Sequence, residues 1–168
     1  MGLISQHRKG LALNVGINDR HSYMREVIVQ NIRTVGPLGE AVMVLKEKEG
    51  ERRIPIWIGA LEAYSISIAL ERIPFPRPLT HDLFLMAFGK LGASLKSVSI
   101  TGLALNTFFA KLEVQKDKEM VEFDARPSDA IGLALRASAP IFASEELFEL
   151  DINLPPEYPE PPTAEPPL

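Results

Sequence analysis

Residues 107–115 read TFFAKLEVQ, and their strict alternation decides the fold class. Phe108, Ala110, Leu112 and Val114 fall on one side, and Thr107, Phe109, Lys111 and Glu113 on the other. That is the period-two pattern of a half-buried strand. The flanking segments have the same character. Residues 95–101 (LKSVSIT) precede it, and residues 119–124 (EMVEFD) follow after a Lys116-Asp117-Lys118 hairpin turn. A run of consecutive strands with no helix between them argues against the βαβ alternation of a doubly wound sheet.

Working outward, residues 25–33 (REVIVQNIR), 40–46 (EAVMVLK) and 53–58 (RIPIWI) read as further strands. The turn Gly36-Pro37-Leu38-Gly39 divides the first two. Pro55 cannot donate to a ladder, which places the third at an edge or a bulge. From Gly59 the period lengthens, and Leu61, Ser65, Ile68 and Ala69, with Tyr64 beside them, share one face of a helix reaching about Arg72. The stretch IPFPRP (73–78) forbids helix. A second helix is expected from Thr80, as N-cap, to Gly92 as its terminal glycine. A third runs from Ser128 to about Ser138. It is apolar almost all round, so it belongs in the interior or in a subunit interface. A short strand at 141–143 and a last helix capped by Ser144 and ending near Leu150 complete the set. The expectation is an α+β fold: one compact domain at residues 24–152, with a mixed β-sheet flanked by short helices. A flexible head (1–23) precedes it, and a disordered proline-rich tail (153–168) follows. The tail sequence PPEYPEPPTAEPPL carries seven of the 14 prolines, which disfavour both helix and ladder.

Composition narrows the chemistry. The chain has 168 residues and no cysteine, so disulfides, thiolate zinc sites, iron–sulfur clusters and cysteine nucleophiles are all excluded. With three histidines in all, any metal would be a hard ion held mainly by carboxylates. The net charge of −4, with no basic arm, requires any nucleic-acid contact to be local. The longest apolar run of the head, residues 11–13, is far too short for a signal-peptide core or a membrane span. A cytoplasmic location away from membranes is therefore expected. No glycine-rich phosphate loop and no G-x-S-x-G elbow occur, which disfavours an NTPase or a triad hydrolase of that type.

The polar residues of interest sit at element junctions. Trp57 and Glu62 mark the entry to the first helix. Arg77, Thr80, His81 and Asp82 mark the second, and Asp124, Arg126, Ser128 and Asp129 the third. The last two junctions share a plan, R-P-L-T-H-D and R-P-S-D, in which Arg-Pro leads to a hydroxyl N-cap and then an aspartate in the first turn. Helix N-termini favour anions. On one reading the aspartates complement helix dipoles and the arginines brace neighbouring carboxylates. On the other the junctions converge, with arginines for phosphate and carboxylates for a divalent cation. Trp57 is either a core or interface aromatic or a stacking platform for a base.

Four segments, IPIWIGALEA (54–63), RPLTHDL (77–83), FDARPSDAIGLALR (123–136) and APIFASEEL (139–147), resemble the bifunctional nuclease domain family over about residues 25–150. The resemblance implies a compact α+β domain that oligomerises and cleaves both DNA and RNA. The family's motif positions here are Glu62, Arg77, His81, Asp82, Asp124, Arg126, Ser128 and Asp129. The expected mechanism is phosphodiester hydrolysis assisted by Mg²⁺ or Mn²⁺. Glu62, Asp82, Asp124 and Asp129 are the metal candidates. Arg77 and Arg126, with Thr80 and Ser128, would hold the phosphate. His81 would act as general base or acid, grouped with Asp82, Asp124 and Asp129 as the catalytic set. The alternative is a non-catalytic homo-oligomeric module that binds an anionic ligand or a protein partner.

Overall fold

A computed structural model describes residues 23–35, 39–150 and 152. The head, the proline-rich tail and most of the Gly36–Gly39 turn lie outside the described residues. Seven strands form one sheet: β1 (Met24–Thr34), β2 (Ala41–Glu47), β3 (Arg53–Ile58), β4 (Ala93–Ala104), β5 (Thr107–Lys116), β6 (Glu119–Ala125) and β7 (Ile141–Ser144). Their order is β3-β2-β1-β7-β4-β5-β6. Neighbours run antiparallel except β4 and β7, which are parallel, so the sheet is mixed and the fold α+β. β3 forms one edge, where Pro55 leaves no ladder donor missing from an inner strand. In β5 the alternation holds: Ala110, Leu112 and Val114 are buried, while Thr107, Phe109 and Lys111 face solvent.

Three helices, α1 (Ala60–Leu70), α2 (Thr80–Lys90) and α3 (Pro127–Ala137), complete the domain. α3 packs against α1, α2, β4 and β5. Every residue from Pro127 to Ala134 except Asp129 is buried, so the apolar helix is an interior one. Ile131, Leu133 and Ala134 join Ile66 of α1 and Met43, Leu45, Val98, Ile100 and Leu112 of the sheet in one core. Pro127 opens α3 at a position that needs no backbone donor, and Gly92 (φ +71) ends the turn after α2 in the left-handed region.

Three local expectations are corrected. Neither hydroxyl caps its helix: the N-caps are Leu79 and Arg126, and no side chain of either caps the helix it precedes. At Leu79 the carboxylate of Asp82 reaches back to accept the backbone N–H at 2.9 Å, which removes the need for a hydroxyl. α1 buries Ala63, Ile66 and Ile68, whereas Leu61 and Tyr64 are exposed. The buried face is thus rotated from the one the periodicity marks, because α3 and the sheet meet it from the Ala63 side. The last helix is only the short 3-10 turn Glu145–Phe148. Arg52 anchors it through Glu145 (2.6 Å) while lying 4.7 Å from the centre of the Phe148 ring.

Candidate active site

The helix starts do converge. α3 runs between α1 and α2, and the polar residues of all three meet along its exposed edge. Arg126 donates to both oxygens of Asp129, from Nε at 2.8 Å and Nη2 at 3.2 Å, and Nη1 reaches Glu62 of α1 at 3.2 Å. His81 of α2 sets Nε2 3.5 Å from Asp129 Oδ1, while its Nδ1 lies 3.2 Å from the Ser65 hydroxyl of α1. Arg136, near the end of α3, closes the group from beneath. It donates to Asp82 Oδ1 at 3.0 Å, to the Gly132 carbonyl at 2.9 Å and to the Ser65 carbonyl at 3.1 Å. Gly132 permits this closeness, since a Cβ there would lie 3.0 Å from His81 Nε2.

Of the residues singled out in the sequence, Glu62, His81, Asp82, Arg126 and Asp129 belong to this connected cluster. Thr80 lines the groove beside it without a hydrogen bond to it. Ser128 is buried one residue before Asp129 and lines an adjoining hollow. Two residues stay apart. Asp124 stands exposed on β6, in register with Lys111. Arg77 lines a neighbouring groove beyond Leu79, with Arg72, Phe75 and Met86, and Asp82 and Arg136 of the cluster line it too. Trp57 is 53% exposed, so it is not a core residue. Sequence reasoning missed the roles of Ser65 and Arg136. The second had a signal: the one cation on a helix apolar nearly all round must find partners.

Two shallow hollows meet at Arg126. One, about 320 Å³, is lined by Leu61, Tyr64, Ser65, Thr80, His81 and Asp129. The other, about 270 Å³, is lined by Trp57, Asn106, Phe108 and Ser128. Arg126 and Glu62 border both. A 67%-exposed guanidinium between accessible Trp57 and Tyr64 rings combines a cation with stacking surfaces.

The same hydrogen bonds bear on a metal. Asp129 and Asp82 each have both oxygens engaged, and one Glu62 oxygen is taken by Arg126. Among the described residues no three histidine, aspartate or glutamate side chains gather as a metal seat requires. The carboxylates therefore do not fit Mg²⁺ or Mn²⁺ as arranged.

Burial, reinforced by the Arg136 charge, holds the His81 pKa below the usual imidazole value, against the opposing pull of Asp129 and Asp82. His81 is thus mostly neutral at pH 7, with Asp129 3.5 Å from its Nε2. As pH falls below about 6.5, the unfolded chain takes up a proton at this histidine before the folded one does, so stability drops. Melting curves between about pH 7 and pH 5 are expected to show that loss, with a shallower slope in His81→Gln; identical slopes would contradict the assignment.

The bifunctional nuclease domain model matches residues 43–152, which include the whole cluster. An uncharacterised protein of Mycobacterium tuberculosis is 41% identical over 125 residues, covering 74% of each chain. Bifunctional nuclease 2 of Arabidopsis thaliana is 30% identical over 115 residues, 66% of this chain and 35% of that protein. Bifunctional nuclease 1 of Oryza sativa subsp. indica is 28% identical over 103 residues, 59% of this chain and 31% of that protein. The fold is that of a small α+β domain whose three helix starts share one polar cluster. The chain belongs to the bifunctional nuclease domain family. It spans about a third of the length of the plant relatives.

Proposed function

We propose that the domain is a cytoplasmic nuclease that hydrolyses phosphodiester bonds of DNA and RNA at the Arg126 groove. The observation that carries this reading is the placement of an exposed guanidinium and a neutral imidazole on the same small hollow. Arg126 pairs with a non-bridging phosphate oxygen, and the charge that develops on phosphorus strengthens that contact. His81 takes a proton from the attacking group, while the charge of Asp129, 3.5 Å from Nε2, steadies the imidazolium that forms. Trp57 and Tyr64 offer ring faces to the bases on either side, which suits a chain of net charge −4 that cannot grip a long stretch of backbone.

No helix of the described residues is long and apolar enough to cross a membrane. The homo-oligomer expected from the resemblance has a candidate face in α2 and β6, where Leu83, Phe84, Met86, Met120 and Phe123 are all exposed. With labelled DNA and RNA oligonucleotides, the purified chain is expected to shorten both. His81→Gln should lower the two rates in parallel by about 100-fold or more, the usual worth of a positioned base. Cleavage of neither polymer, or equal rates in the variant, would overturn the proposal.

A further inference from the structure

Ser65 is the one residue of the cluster whose side chain is a nucleophile in waiting. It lies on the second turn of α1, lines the same hollow as His81 and Arg126, and places Oγ 3.2 Å from His81 Nδ1. In the tautomer with its proton on Nε2, the side nearer Asp129, the lone pair of the ring is on Nδ1, facing the hydroxyl. Hydroxyl, imidazole and carboxylate therefore stand in series, at 3.2 Å and then 3.5 Å. That is the order of groups by which a base activates a serine and a carboxylate orients the base, recognised by geometry and not by position in the chain. The guanidinium of Arg136 lies 3.3 Å from the same Oγ, where a cation favours the alkoxide over the alcohol. The bare face of Gly132 lets the imidazole lie flat enough against α3 to touch both partners.

We propose that Ser65 is the nucleophile of this site, with His81 as its base and Asp129 as the orienting carboxylate. The assignment rests on the phosphodiesterase reading and deepens it by naming the attacking atom. Ser65 Oγ attacks phosphorus as its proton passes to His81 Nδ1. The bond from phosphorus to the departing nucleoside oxygen breaks on the face opposite Ser65, and that oxygen takes a proton from a solvent water, leaving hydroxide. Hydroxide then attacks the resulting serine phosphodiester from that open face. Ser65 Oγ leaves and recovers its proton from His81, so the net reaction is hydrolysis.

The test is a fluorophosphonate probe, which phosphonylates an activated serine whether or not nucleic acid is cleaved. The full chain is incubated with the probe, and the adduct is located by intact mass and peptide mapping. One adduct on Ser65 is expected, absent in Ser65→Ala and formed at least about 100-fold more slowly in His81→Gln. A structural hydroxyl that serves only to receive Arg136 would not be labelled. No adduct, an adduct on another residue, or a rate indifferent to His81→Gln would overturn the assignment. Melting curves of each variant confirm that it is folded. Oligonucleotide cleavage with full turnover in Ser65→Ala refutes Ser65 alone. A Ser65 adduct in a chain that cuts neither DNA nor RNA refutes the nuclease reading and upholds the nucleophile.

Discussion

Arg136→Ala is expected to lower the melting temperature by about 10–20 °C, the largest stability effect of any single substitution in the cluster. The side chain is only 8% exposed, and its fork joins all three helices through Asp82, Ser65 and the Gly132 carbonyl. Removing it strands two carbonyl acceptors at the helix junction, at about 1–3 kcal/mol each. Asp82, 38% exposed and still bonded to the Leu79 N–H, adds little. Arg136→Lys keeps the charge without the planar fork, so it should recover part of the loss. Thermal melts followed by circular dichroism measure both. A fall of less than about 3 °C in the alanine variant would show that the three helices do not depend on this clamp.

Arg126→Ala is expected to behave in the opposite way, with nuclease turnover falling by about 100-fold or more and the melting temperature moving by no more than about 2 °C. Both Arg-Pro junctions allow a brace or a binding role when read as sequence, and exposure separates the two. Arg126 is 67% exposed, and its partners Glu62 and Asp129 are themselves 27% and 37% exposed. Ion pairs of that kind contribute about 0–1 kcal/mol in water. Burial and a fork into the helix junction make Arg136 structural. An open position on the groove leaves Arg126 to a ligand. Parallel loss of stability and activity in Arg126→Ala would return it to the role of brace.

Much of the fold was legible because short-range physics dictated it. Strict alternation in β5 and the proline-blocked connector each had one sensible reading, and both hold; the apolar third helix had two, interior or subunit interface, and it packs in the interior. The helix-start hydroxyls misled because Thr80 and Ser128 match a capping pattern that the backbone satisfies by other means: Asp82 reaches back to Leu79, and Pro127 needs no donor. The buried face of α1 depends on where α3 lies, which no local period encodes. The candidate site was legible residue by residue, but its connectivity was not. Which junction carboxylates would be consumed by arginines, and which arginine would be buried, follows only once α3 runs between α1 and α2. Arg77 and Asp124 illustrate the same limit. Each matches the pattern, and each is carried elsewhere, one by the connector before α2 and the other by the outer strand β6.

The central claim is that the Arg126–His81 groove hydrolyses phosphodiesters. It is tested most directly by assaying nuclease activity across the sizing-column peak of the wild-type chain and of an Arg126→Ala/His81→Gln double variant purified identically. The account predicts activity that superimposes on the wild-type protein peak and disappears from the double variant, whose elution volume and melting profile stay close to wild type. Activity that elutes apart from the protein, or that persists unchanged in the double variant, would contradict it and leave the domain as a binding module.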